Sequence, residues 1–276
     1  MKKVMVITGG SSGIGKYCCT YFNKLGYEVI TGARSIDKMK DLQQVGIKTH
    51  YLDLNDDDSI KAFVMFIKKE TTHVDVLINN AGYGSFGALE DVSINEAKRQ
   101  FEVNVFGLMA ITQALLPLMR IQKQGQIINI SSIAGRVYTP LGGWYYASKH
   151  ALEALSDVLR LELKEFGIDV IVIEPGGTQT NWQATMAEQM MKATPQDSPY
   201  YEMALNYQSF DQDLPIKNAQ VEDIALLINK ALKAKRPKAR YLFAFSDKLM
   251  VFLVRKLPTK ITDWGINKMM KKFKNK

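Results

Sequence analysis

Short runs that are apolar at nearly every position alternate along this chain with helix-length stretches that are apolar on one side only. Val4–Thr8, Glu28–Gly32, Thr49–Leu52, Val74–Asn79, Gln126–Ser131 and Asp169–Glu174 have the composition of strands. Most are hydrophobic on both faces, as expected of parallel strands covered above and below. Between them, Ile14–Leu25, Ser59–Glu70 and Ser148–Phe166 carry the one-sided pattern of amphipathic helices. Strand–helix alternation kept up over about 170 residues predicts an α/β fold, a doubly wound parallel sheet, with Tyr241–Phe245 as candidate last strand. No internal repeat, low-complexity segment or linker interrupts it. A single domain over residues 1–246 is therefore expected, with 247–276 as a basic amphipathic extension. Residues 180–220 break the rhythm, being mixed polar, rich in Met and holding Pro195, Pro199 and Pro215. Such an insertion belongs near the carboxyl ends of the strands, where open α/β sheets bind ligands, and it is expected to bind substrate.

Composition narrows the class. The 276 residues are 46% hydrophobic and 23% charged, which is ordinary for a soluble globular protein and excludes wholesale disorder or a fibrous repeat. No apolar run is long enough to span a bilayer, and MKKVMVITGG is too short for a signal h-region, so a cytoplasmic location is expected. Cys18 and Cys19 are neighbours, which disfavours both a disulfide framework and a zinc site. His50, His73 and His150 are scattered, Asn55–Asp58 looks like a helix N-terminal charge cluster, and no metal is expected.

The net charge of +8 divides unevenly, residues 1–229 carrying −5 and residues 230–276 carrying +13. An acidic body argues against nucleic acid as a partner. In the tail, Leu249–Val254, Trp264, Met269 and Met270 stand among lysines and Arg255. That mixture suits either peripheral contact with an anionic membrane or a terminal helix packing on its own domain or across a dimer.

The first strand leads into Thr8-Gly9-Gly10-Ser11-Ser12-Gly13-Ile14-Gly15 and then a helix. Glycines there permit a tight turn and close approach to a pyrophosphate, whose charge a helix N-terminus favours. Further on come Asn79-Asn80-Ala81-Gly82 after the fourth strand, Asn104 in a helical stretch, and Ser131-Ser132 after the fifth strand. Tyr145-Tyr146-Ala147-Ser148-Lys149 and Pro175-Gly176-Gly177-Thr178-Gln179-Thr180 follow. In order and spacing this set resembles the short-chain dehydrogenase/reductase family over residues 4–180. It is most similar to the branch of 17β-hydroxysteroid and retinol dehydrogenases.

The resemblance implies a Rossmann-type fold and an NAD(P)-dependent oxidoreductase interconverting a ketone or aldehyde and an alcohol. Tyr145 would be the acid-base residue, since it and not Tyr146 stands one helical turn before Lys149. Lys149 and a cationic nicotinamide would lower its pKa, and Lys149 would also hold the cofactor ribose. Ser132, ahead of the alternative Ser131, would donate to the substrate oxygen. Asn104 would hold a water linking Lys149 to solvent.

Cofactor contacts are expected from Thr8, Gly9, Ser11, Ser12, Gly13, Ile14, Gly15, Arg34, Ser35, Asp53, Leu54, Asn80, Ala81, Gly82, Tyr145, Lys149, Pro175, Gly176, Thr178 and Thr180. The second strand ends Gly32-Ala33-Arg34-Ser35 with no acid to bind a ribose 2′-hydroxyl. An arginine there can pair with a 2′-phosphate, so NADP(H) is favoured over NAD(H). Phe86, Tyr138, Trp144, Trp182 and several methionines suggest a hydrophobic carbonyl or alcohol substrate. The family resemblance implies a homodimer or homotetramer. Two other readings fit less well: an NADPH-binding redox-sensing regulator, which would not need the proton-transfer set, and a membrane-associated interaction protein without turnover.

Overall fold

In a computed structural model, described for residues 2–178, 182–210 and 219–271, the expected alternation is realised. The elements run β1 (Val4–Thr8), α1 (Gly13–Lys24), β2 (Glu28–Ala33), α2 (Lys40–Gln44), β3 (Lys48–Tyr51) and α3 (Asp57–Glu70). Next come β4 (Val76–Asn79), α4 (Ile94–Phe101), α5 (Leu108–Arg120), β5 (Gly125–Ile130), α6 (Gly143–Glu162) and β6 (Ile168–Glu174). The chain continues with α7 (Trp182–Ala193), α8 (Tyr201–Phe210), α9 (Val221–Leu232), β7 (Arg240–Leu242), α10 (Phe245–Lys256) and α11 (Thr259–Lys271). All seven strands lie parallel in one sheet, ordered β3-β2-β1-β4-β5-β6-β7.

The continuous hydrophobic runs follow from this doubly covered sheet. Met5 and Ile7 of β1 face a core built with Phe22 of α1 and Ile224 and Ile228 of α9. Val4 and Val6, one residue out of step, face the opposite core with Phe63 of α3, Ile111 and Leu115 of α5 and Leu159 of α6. A strand buried on both faces has no polar side to alternate. At the start of α3, Asp56 accepts from the amides of Asp58 and Ser59, so the acidic cluster is a helix cap.

Three elements differ from the pattern-based expectation. Residues 94–120 form one continuous helix, interrupted by a π turn at Glu102–Gly107. By length and hydropathy this stretch could cross a membrane, contrary to the expectation from the sequence. Its apolar face is instead spent on the sheet, with Leu108, Ile111, Leu115 and Met119 buried. Part of the irregular 180–220 segment is helical, and α7 and α8 bury Met186, Met190 and Ala204 in a third cluster with Phe86, Leu141 and Tyr145. The last strand is shorter than expected, because β7 ends at Leu242 and Phe245 already begins α10.

Candidate active site

The carboxyl ends of β1, β2, β4, β5 and β6 open onto a cleft of about 660 Å³. At its floor the β1–α1 loop turns through left-handed conformations at Gly9 (φ 80°) and Gly13 (φ 53°), which side chains disfavour. A Cβ at Gly15 would run into the Gly9 carbonyl and the Asn80 amide, so only glycine lets the helix approach this closely. Ser12 precedes α1 with an extended backbone and no side-chain cap, leaving the first helical N–H groups for a ligand in the cleft. The Thr8 hydroxyl accepts from the amides of Asn80 (3.1 Å) and Ala81 (3.0 Å), and the Asn80 side chain donates back to the Thr8 carbonyl at 3.0 Å. Thr8 and Asn80 thus tie the ends of β1 and β4 together and hold the loop in place.

Of the residues expected to touch a cofactor, Gly9, Ser11, Ser12, Gly13, Ile14, Arg34, Ser35, Asp53, Leu54, Asn80, Ala81, Gly82, Tyr145, Lys149, Pro175, Gly176 and Thr178 all line the cleft. Thr8 and Gly15 stand behind its lining as supports, and Thr180 lies outside the described residues. Arg34 is exposed at the cleft rim with no acidic partner among the described residues. Asp53 is fixed locally: its amide donates to Ser59 Oγ (2.8 Å) and its carboxylate accepts from the Asn55 amide (3.0 Å). The glycine cradle, uncapped helix end and long cleft are the features a dinucleotide requires.

At the inner end, Tyr145 and Lys149 share one face of α6, with Nζ 5.9 Å from the tyrosine ring centre. Ser132 begins a short turn, accepts from the Ala134 amide at 3.1 Å, and hydrogen-bonds the Tyr145 side chain. It also donates to the Pro175 carbonyl at 3.3 Å, joining the ends of β5 and β6. Ser131, the alternative serine, is buried and its hydroxyl has no partner among the described residues. The structure therefore joins Ser132, Tyr145 and Lys149.

The expected fall in the Tyr145 pKa is not found in the protein alone. Burial pushes the phenol up to about 12, and the Ser132 hydrogen bond only moderates that rise. Lys149 is buried too, and desolvation pulls its ammonium down to about 8 against the opposing pull of Glu153. Its Nζ donates to the Ile130 carbonyl at 3.0 Å. Asn104 sits in the π turn with both side-chain amide hydrogens engaged, donating to the Tyr83 carbonyl (2.8 Å) and Ser148 (3.1 Å), while its side-chain oxygen accepts from the Tyr83 amide (3.1 Å).

Behind these groups lies a buried charge network that was not foreseen. Glu174, fully buried at the end of β6, meets Arg136 at 3.0 Å and Arg240 at 3.4 Å. Arg240 from β7 also meets Glu153 (2.9 Å) and Asp157 (2.7 Å) on α6. Burial, with Glu153 nearby, raises Glu174 to about 7.

An aromatic cluster packs beside Tyr145. Phe86 packs 5.3 Å from the Tyr145 ring and 6.4 Å from that of Tyr207. Tyr146 bonds Thr139 at 2.6 Å and packs edge-on against Phe86. Trp144 is a correction: it faces a separate apolar groove with Ile94, Phe101 and Phe106, because successive residues of a helix point in different directions. Tyr138 reaches outward to Asp263 of α11 at 3.1 Å. The Trp182 side chain is outside what is described. The sequence reading missed Tyr83, Val103, Ile130, Thr185 and Val221 as cleft residues. Tyr83 was signalled by its place directly after Gly82, whereas Thr185 and Val221 arrive only through the fold.

A family model described as short chain dehydrogenase matches residues 3–191. The chain is similar to a probable short-chain type dehydrogenase/reductase of Helicobacter pylori, VdlC, at 39% identity over 92% of this chain and 93% of that one. It is also similar to an NADPH-dependent 3-dehydrocapnine reductase of Ornithobacterium rhinotracheale, at 34% identity over 97% of each chain. Among solved structures, a short-chain dehydrogenase from Streptomyces avermitilis superposes with a TM-score of 0.82 at 29% identity, over 96% of both chains.

Proposed function

The chain belongs to the short-chain dehydrogenase family and is an oxidoreductase, and on that premise we propose an NADP(H)-dependent enzyme interconverting a hydrophobic ketone or aldehyde and its alcohol. The observation that carries the reading is the convergence of Ser132, Tyr145 and Lys149 on one end of a glycine-cradled cleft. When bound, the dinucleotide supplies or takes up the hydride; the residues supply everything else. Ser132 donates to the carbonyl oxygen and stabilises the charge that develops there. Tyr145 gives that oxygen its proton, and Lys149, anchored on the Ile130 carbonyl, returns a proton towards the phenol and is itself reloaded from solvent through a water held at Asn104.

Arg34 supports NADP(H), since a free guanidinium at the end of β2 can take a 2′-phosphate where no acid competes. The name of the Ornithobacterium relative agrees with NADPH use. The aromatic cluster of Phe86 and Tyr207 packed against Tyr145 supports an apolar substrate. Exposed Ile94 and Phe106 beside the Trp144 groove support association into a homodimer or homotetramer.

The test is oxidation of NADPH and of NADH over a panel of hydrophobic ketones and aldehydes, with Tyr145→Phe as control. Turnover favouring NADPH and lost in the variant is expected. Undiminished turnover in Tyr145→Phe would sink the assignment.

A further inference from the structure

The solvent faces of the two tail helices are apolar where a terminal helix should be polar. On α10, Asp247 and Val251 are buried against the body. Phe245, Leu249, Phe252 and Leu253 are exposed, at 79%, 47%, 58% and 41%. Their spacing of i, i+4, i+7 and i+8 defines a single stripe, and it points away from the protein. On α11, Thr262 is buried while Ile261 and Trp264 are exposed at 49% and 64%, with Lys268 Nζ 4.9 Å over the Trp264 ring. Exposed cations accompany both stripes: Lys248, Arg255 and Lys256 on α10, Lys260 and Lys268 on α11. The only acids of the two helices are Asp247, which is buried, and Asp263, which is bonded to Tyr138.

We propose that α10 and α11 form a docking face for an anionic phospholipid bilayer. A second copy of the chain is the competing occupant, but the charge argues against it, since two faces this basic repel when placed together. Lipid headgroups supply the opposite sign, and the acyl boundary takes the aliphatic and aromatic stripe. A tryptophan with a lysine over it, exposed beside isoleucine, suits the headgroup level, where one end of each side chain is wet.

The placement has a functional corollary. Asp247 of α10 abuts Gly176 of the cleft, and Asp263 of α11 holds Tyr138, six residues beyond Ser132 on the same loop. The docking face thus adjoins the catalytic loops, so a substrate dissolved in the bilayer has a short path to the site. Docking itself does not depend on the proposed substrate class, and its test reads no turnover.

Full-length protein is mixed with phosphatidylcholine vesicles, with and without phosphatidylglycerol, and floated on a density gradient. Flotation with the anionic vesicles is expected, weakening as salt is raised. The double variant Phe252→Glu, Trp264→Glu should lower the partition coefficient by roughly tenfold or more while its circular dichroism and its thermal unfolding are unchanged. No flotation of the wild type, or equal flotation of the variant, overturns the proposal. So does a wild type that stays off vesicles but shifts to a smaller particle by light scattering when the double variant is introduced, which would assign the face to a second copy.

Discussion

Replacing Lys149 with Met should stabilise the protein while abolishing its chemistry. The lysine is buried on α6, and its pKa falls to about 8 from an ordinary 10.5. The folded state therefore binds fewer protons than the unfolded chain between these two values. Holding the ammonium in place costs stability fully below pH 8, and that cost fades as pH rises towards 10.5. The shift corresponds to a penalty of about 3 kcal/mol at pH 7, falling to about 1 kcal/mol at pH 10. Methionine has similar length and no charge, but it forfeits the hydrogen bond to Ile130 and leaves that carbonyl unpaired, at a cost of roughly 1 kcal/mol. The variant should thus be about 2 kcal/mol more stable than the wild type at pH 7, and the difference should vanish or reverse near pH 10. Urea unfolding of both proteins at a series of pH values measures this, with groups common to both cancelling in the difference. A difference that stays flat between pH 7 and pH 10 refutes the buried-ammonium argument, whatever its sign.

Three further outcomes are expected. Arg34→Asp should raise KM for NADPH by roughly 10- to 100-fold and leave NADH unaffected, from loss of a charge-assisted contact; equal changes for both would make Arg34 an ordinary surface charge. Gly176→Ala pushes a methyl into the Asp247 carboxyl and should cost roughly 1–3 kcal/mol in thermal unfolding, recovered when Asp247→Ala is added; an additive pair of effects would contradict the contact. Arg240→Met strands Glu153 and leaves Glu174 with Arg136 alone, and should cost roughly 3–5 kcal/mol near neutral pH. That loss should shrink on acidification as the carboxyls take up protons, and a pH-independent loss would speak against the network.

What could be read from the sequence follows from what each residue answers to. Strands covered on both faces declare themselves through unbroken apolar runs, as in Val4–Ile7, and a loop whose glycines must adopt positive φ leaves a fixed signature at Gly9 and Gly13. The insertion helices did not declare themselves, because α7 and α8 meet the body through a few methionines and an alanine instead of a full stripe. Trp144 was misplaced because its neighbour Tyr145 faces the cleft, and one step along a helix turns a side chain to another side. The π turn at Asn104 and the burial that raises the Tyr145 pKa depend on neighbours distant in the chain, so no local pattern encodes them. Nothing local marks Arg240, whose partners are on α6 and β6.

That last residue has a consequence for how the molecule comes together. Every group that meets in the catalytic corner precedes Pro175 in the chain or is Pro175 itself, so the central strands β1, β4, β5 and β6 are all made well before β7. Two carboxylates beneath that corner, Glu153 and Glu174, are then covered with Arg136 as the nearest guanidinium, until the short edge strand β7 delivers Arg240. The nascent domain is complete in shape before it is complete in charge. Closure of the sheet at its last edge is thus a late electrostatic step as well as a pairing of strands, and a chain stopped short of residue 240 would leave two carboxylates to share the single guanidinium of Arg136.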